Sequence, residues 1–266
     1  MNPLVHNFFQ KVTPEKDTPF LDILYLDEEN PATWEQWREK CPSLPRGWYE
    51  LSHLPVHDRI EFTREYWINI LPYHPIFHHF LMLFFARLDD VGVYLTQTEK
   101  DKPYGAHFVY SLASGNAFYR GNPPITEDSL LHLKKEFNST LPRDFLAFYK
   151  IHNGFAKSGD TGIIPSEFMK SYAQEFYSSL LTTDRAVTCR GQKIDPSVLI
   201  PFYECFGLHS FQCFYGEWYP ANEMGNVYFS GVDYTISDYT IQKAWGENMA
   251  FPTFLDWLIF YLEEIE

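Results

Sequence analysis

Apolar residues along this chain first follow a helical spacing, then alternate, then return to a helical spacing. The first 60 residues are rich in proline and tryptophan and hold one short helical candidate, "PATWEQWREK", with Trp34 and Trp37 three apart on one face. "DRIEFTREYWINI" (58–70) predicts a helix capped by Asp58, with Phe62, Tyr66 and Ile70 as its apolar stripe. After Pro72 and Pro75, "IFHHFLMLFFARLDD" is apolar on most faces and predicts a buried helix. The period then shortens. "VGVYLTQT" (91–98), "GAHFVYSL" (105–112) and "NAFYRG" (116–121), separated by polar breakers, predict a β-meander. "GNPP" (121–124) is the best boundary candidate, dividing an N-terminal region of helices and meander (1–124) from a C-terminal domain (125–266).

Beyond that boundary, "ITEDSLLHLKKEF" predicts a helix with Thr126 as N-cap and Glu127 and Asp128 complementing its dipole. Leu130, Leu133 and Phe137 form its inner stripe. "LPRDFLAFYKIHNGF" (141–155) predicts a second helix, packed against the first. Pro142 sits in its first turn, Leu141, Phe145, Phe148, Tyr149 and His152 share a face, and Asn153-Gly154 supplies a stop. A strand, "IIP", leads into a helix capped by Ser166 with Phe168, Tyr172, Phe176 and Leu180 at spacing four. "VLIPFYECF", "FQCFYGEW" and "GNVYFSG" read as strands, and Phe254, Leu258, Tyr261 and Ile265 mark an amphipathic terminal helix. This order of elements predicts an α+β layered fold rather than repeating βαβ units.

Composition sharpens the picture. With 266 residues, 45% hydrophobic and 21% charged, the chain is long and apolar enough to bury a substantial core. The aromatic share of 18% suits thick cores and contact surfaces alike. A formal charge of −14 excludes a protein that tracks nucleic-acid phosphates and fits a partner with a basic surface. The acidity leans C-terminal: residues 1–125 carry 11 basic and 16 acidic side chains, and residues 126–266 carry 10 and 19. Cys41, Cys189, Cys205 and Cys213 form no CxxC pair, and the N-terminal stretch lacks the order of a signal peptide. A cytoplasmic protein with reduced thiols, no cofactor and no membrane span is the expectation.

Candidate chemistry is sparse. His74 and His78 stand at i and i+4, but no nearby carboxylate or cysteine completes a metal set. Cys205 and Cys213 flank His209, yet cysteines on strands are more often small core hydrophobes than nucleophiles. There is no Gly-x-Ser-x-Gly elbow, and "KSGDTG" is not a phosphate loop. The acidic and aromatic residues of the C-terminal strands are harder to set aside. Glu204, Tyr215, Glu217, Trp218, Tyr219, Glu223, Asp233 and Tyr234 read as an acidic aromatic face for another protein. Two further readings stay open: a hydrolase using two of these carboxylates, and an ordinary solvated face.

From residue 125 onward the chain resembles the SUKH superfamily, which holds bacterial toxin-immunity proteins and fungal regulators of cell-wall assembly. The resemblance is carried by "TEDSLLHLKKEF" followed by "LPRDFLAFYKIHNGF", then by "GIIPSEFM", "GNVYFSG" and "FPTFLDWLIFYLEE". It implies an α+β domain without a catalytic centre that binds another protein, as an immunity protein against a basic toxin or as a regulator. The glycine run that the family carries after its Asn is here only Asn153-Gly154-Phe155. Residues 1–124 resemble no family known to us.

Overall fold

The computed structural model describes residues 1–11, 19–27, 32–138, 140–183, 185–241 and 248–263. Its helices are α1 (Pro3–Phe8), α2 (Trp34–Lys40), α3 (Arg46–Ser52), α4 (Val56–Ile70), α5 (Pro75–Ala86), α6 (Glu127–Glu136), α7 (Arg143–Tyr149), α8 (Ser166–Leu181) and α9 (Phe254–Leu262). Its strands are β1 (Asp22–Leu26), β2 (Leu88–Gln97), β3 (Gly105–Leu112), β4 (Phe118–Gly121), β5 (Phe155–Lys157), β6 (Gly162–Ile163), β7 (Thr188–Cys189), β8 (Gln192–Lys193), β9 (Leu199–Glu204), β10 (Phe211–Tyr215), β11 (Asn226–Ser230), β12 (Thr235–Ile236) and β13 (Ala250–Phe251). The fold is α+β, and all these strands belong to one mixed sheet ordered β1-β2-β3-β4-β5-β6-β9-β10-β11-β12-β7-β8, with β13 pairing β11. Pairing is antiparallel except between β12 and β7.

The meander predicted from the sequence is present as β2, β3 and β4, with the unforeseen β1 paired to its outer edge. The sheet does not stop at "GNPP". Strand β4 pairs with β5, so Gly121 lies opposite Phe155, and strands on both sides of that segment share one ladder. The core is continuous as well: one buried cluster joins Trp67, Phe84 and Tyr110 to Phe145, Phe202, Phe254 and Trp257.

Both faces of β9 to β11 are covered. Phe211, Cys213 and Tyr215 turn toward Phe176 and Leu180 of α8, while Phe202 and Phe214 turn toward Phe145, Phe254 and Trp257 of α7 and α9. A strand buried on both faces has no need of polar alternation, which is why "FQCFY" reads as an almost unbroken apolar run.

Several local expectations shift. Helix α4 begins at Val56 after an N-cap at Pro55, which leaves Asp58 in its first turn rather than at the cap. Its inward face is Arg59, Thr63 and Trp67, one position on from the apolar stripe, and Phe62 is 59% exposed. Arg59 can point inward because its Nη2 lies 2.7 Å from Asp90 Oδ1, so two buried charges neutralise each other. The "LDD" predicted to continue that helix lies outside it: α5 ends at Ala86, and Leu88 to Asp90 open β2. Helix α5 buries Phe77, Leu81, Phe84 and Phe85 and leaves Ile76 and Leu83 in solvent, so it is covered on one side only.

In the C-terminal half, Thr126 caps α6 by accepting from Ser129 N–H at 3.2 Å. Pro142 is the N-cap of α7 instead of its first-turn residue, and Pro165 rather than Ser166 caps α8. Met169 and Ala173 replace Phe168 and Tyr172 on the buried face of α8, leaving Phe168 51% exposed. The stop falls earlier than Asn153-Gly154: α7 ends at Tyr149 with Lys150 as its C-cap, and Gly154, at φ +98, instead turns the chain into β5. Phe254, Leu258 and Tyr261 are buried, and Ile265 lies outside the described residues.

Candidate functional site

The segment "LPRDFLAFYKIHNGF" is mostly scaffold. Phe145 meets the rings of Phe202, Phe214 and Phe254, and the Tyr149 hydroxyl donates to Ile164 O at 2.6 Å. Asp144 is buried, accepting from Phe145 N–H and from Leu255 N–H at the start of α9. Burial pushes its carboxyl up to about 6.

The eight residues singled out in the C-terminal sheet do not share one face. Register places Glu204 opposite Phe211, whereas Leu199 faces Tyr215, so the two groups stand at opposite ends of β10. Four residues of strand separate those ends by about 14 Å. At one end, Tyr215 is buried and its hydroxyl donates to Glu217 Oε2 at 2.9 Å. Trp218 and Tyr215 both pack on Tyr239, and Tyr219 is 54% exposed. Glu223 pairs with Arg143 Nε at 3.4 Å.

At the other end, Glu204 and Tyr234 line a groove of about 580 Å³ between α8 and the turns that follow β9 and β11. Tyr172, Glu175, Phe176, Leu208, His209 and Val232 complete most of its wall. Glu204 is only 7% exposed and shares the groove wall with Tyr172. The rim is apolar and open: Leu208 is 66% exposed and Val232 75%. Asp233 follows Val232, in a turn closed by its own N–H donating to Ser230 Oγ at 3.2 Å. The Arg185 guanidinium lies 5.4 Å from the Tyr234 ring centre and donates to Val232 O, which fixes the far edge.

Other candidate chemistry is absorbed by structure. His74 is the N-cap of α5, accepting from Phe77 N–H at 3.2 Å, with its Nε2 3.7 Å from Asp256. Burial pushes the thiols of Cys205 and Cys213 up, away from the thiolate form a nucleophile needs. Asp160 of "KSGDTG" is buried, accepting from the Tyr203 and Tyr261 hydroxyls and from Phe206 N–H. That loop is thereby bolted to β9 and α9. Among the described residues, no group of three His, Cys, Asp or Glu side chains could hold a metal ion, and no helix is long and apolar enough to cross a membrane.

One feature escapes any reading of the sequence alone. A cleft of about 490 Å³ opens between α3, α4, β3 and the end of the α7 segment. Its floor holds a directed chain of hydrogen bonds. His152 Nδ1 lies 3.1 Å from Asn122 O, a carbonyl that can only accept, so that nitrogen carries the proton. His152 Nε2 therefore accepts from the Tyr110 hydroxyl at 2.6 Å, and Tyr110 accepts in turn from Trp67 Nε1–H at 2.9 Å. Burial pushes the imidazole down to about 3, keeping it neutral. Phe62 and Tyr66, the two aromatics left outside the α4 core, form part of the wall. Their spacing one position off the buried stripe was the only trace of the cleft in the sequence.

The model of the SMI1/KNR4 family (SUKH-1) matches residues 124–259, the stretch that holds α6 to α8, the first part of α9 and β5 to β13. No curated protein and no solved structure matches the chain. The matched stretch carries the groove and the His152 end of the cleft, whereas α3, α4 and β3 precede it. The chain belongs to the SMI1/KNR4 family (SUKH-1).

Proposed function

We propose that this protein is a non-catalytic binding module that engages another protein through the groove beside α8. The observation that carries this reading is the pairing of exposed Leu208 and Val232 with the carboxylates of Glu175 and Glu204 in the groove wall and of Asp233 in the adjoining turn. An apolar anchor flanked by Lys or Arg fits such a surface: the anchor fills the groove and the cations meet the rim. The net charge of −14 steers a basic partner toward it. Family membership supports the class of role, and blocking of a basic toxin in the cytoplasm is its most concrete form, with a regulatory scaffold as the other. Residues 125–266 act as the binding domain in this reading, and residues 1–124 extend its sheet and set which partner is accepted.

The hydrolase reading draws no support from the placement of the carboxylates. Glu217 and Glu223 stand at the far end of β10 from Glu204 and Asp233; Glu217 accepts from Tyr215, Glu223 pairs with Arg143, Asp233 accepts from Ser230 Oγ, and Glu204 is buried. The test is a comparative capture from the source cell. Wild type and a Glu175→Lys/Asp233→Lys variant are used as baits at low salt, with mass spectrometry of what each retains. A basic protein retained by the first and lost by the second supports the reading, and equal retention by both sinks it.

A further inference from the structure

We infer that the cleft between α3, α4 and the end of the α7 segment is a second binding site, one that takes a small amphipathic cation with an aromatic or alicyclic body and an ammonium head. The volume of about 490 Å³ fits a small molecule. Trp48, Phe62, Tyr66, Trp67 and Phe108 supply its rings. The polar atoms of its floor are spoken for: Trp67, Tyr110 and His152 bond to one another, Thr63 donates to Arg59 O, and the Tyr66 hydroxyl donates to Lys150 O. A ligand body therefore meets a surface that asks for no hydrogen bonds, and a polar body would lose its hydration without replacement.

Charge selects the head group. Among the described residues that line the cleft, Glu50 alone carries a charge, because the buried His152 stays neutral. Glu50 Oε1 accepts from Arg46 Nε at 2.8 Å, but both side chains are exposed. An exposed pair at i and i+4 contributes about 0.5 kcal/mol at most, so a ligand ammonium can share or displace it. Aromatic faces attract the same cation. Gly47 lines the mouth, and a Cβ there would meet nothing within 4 Å, so a larger side chain has room at this position. The walls from α3, α4 and β3 precede the family match, so the site belongs to this chain's own combination of halves.

Three probes of one shape test this by isothermal titration calorimetry: 2-(naphthalen-2-yl)ethylamine, the corresponding alcohol, and naphthalen-2-ylacetate. The amine is expected to bind about tenfold or more tighter than the carboxylate, with the alcohol between them. Glu50→Gln should bring the amine down to the alcohol and leave the alcohol unchanged. Gly47→Trp, which fills the mouth from an exposed position, should weaken amine and alcohol by about tenfold. Phe62→Ser removes a wall from an equally exposed position and should do the same if the first variant folds poorly. Phe168→Ser, which removes an exposed ring on α8, should change nothing. The inference is overturned if the carboxylate binds as well as the amine, if filling the mouth leaves the amine unaffected, or if no probe binds up to about 10 mM.

Discussion

His152 Nε2 stands 2.6 Å from the Tyr110 hydroxyl, joining the segment that ends α7 to the middle strand of the N-terminal meander. The contact closes the chain from Trp67 Nε1 to Asn122 O, with Trp67, Tyr110 and His152 buried and every member paired. Tyr110→Phe removes the central hydroxyl and strands one donor and one acceptor at once. Each buried group left unpaired costs about 1–3 kcal/mol, so a loss near the upper end is expected in urea unfolding. Trp67→Phe opens a cavity of its own, but together with Tyr110→Phe it leaves no indole donor stranded, so the double change should cost less than the sum of the two single ones.

The same imidazole makes stability depend on pH. His152 titrates near 6.5 when unfolded and at about 3 when folded, and His107, buried with Arg120 nearby, shifts from 6.5 to about 4. A depressed folded value means that the unfolded chain takes up the proton first. The stability contributed by both is therefore present above pH 6.5 and drains away as pH falls toward 4. Asp144 works in the opposite direction: its carboxyl rises from 3.8 to about 6, so its contribution is present below 3.8 and lost as pH climbs through 6. Two imidazoles outweigh one carboxyl, and urea midpoints should fall steadily from pH 6.5 to 4. Nitrogen shifts of the His152 ring should show an unprotonated Nε2 at pH 5.

Gly121 is held to glycine by the same ring. A Cβ at that position would sit 2.3 Å from His152 Cγ, inside a packed core that cannot move away. Gly121→Ala should cost about 1–3 kcal/mol and shift the Tyr110 and His152 resonances. Gly47→Ala, by comparison, meets nothing inside α3 and should raise stability by about 0.5–1 kcal/mol.

Charge reversal separates the two ends of β10. Glu175→Lys with Asp233→Lys should weaken partner binding at least about tenfold while leaving the unfolding free energy within about 0.5 kcal/mol, because both side chains are exposed. Glu217→Lys, at the opposite end, should leave binding intact. Surface plasmon resonance against the captured partner reads both, and a loss with Glu217→Lys alone would move the binding surface to that end.

Sequence by itself determined the elements that rest on local chemistry. The α6 cap at Thr126, the left-handed turn at Gly154, the meander and the apolar strands β9 to β11 follow from side-chain spacing and turn residues, which act over a few positions. It also determined the family, because those local signals occur in a fixed order. Tertiary structure decided which face each element turns inward. Helix α4 buries Arg59 instead of Phe62 because Asp90, 31 residues away, supplies the opposite charge. Distance in space likewise split the acidic strand residues between two ends of β10, where sequence order had set them side by side. The cleft arose in the same way: α3, α4, β3 and His152 meet only because β4 and β5 pair across the segment where the sequence marked a break. Contacts between positions far apart in the chain leave no period to read, and here they carry both proposed binding surfaces.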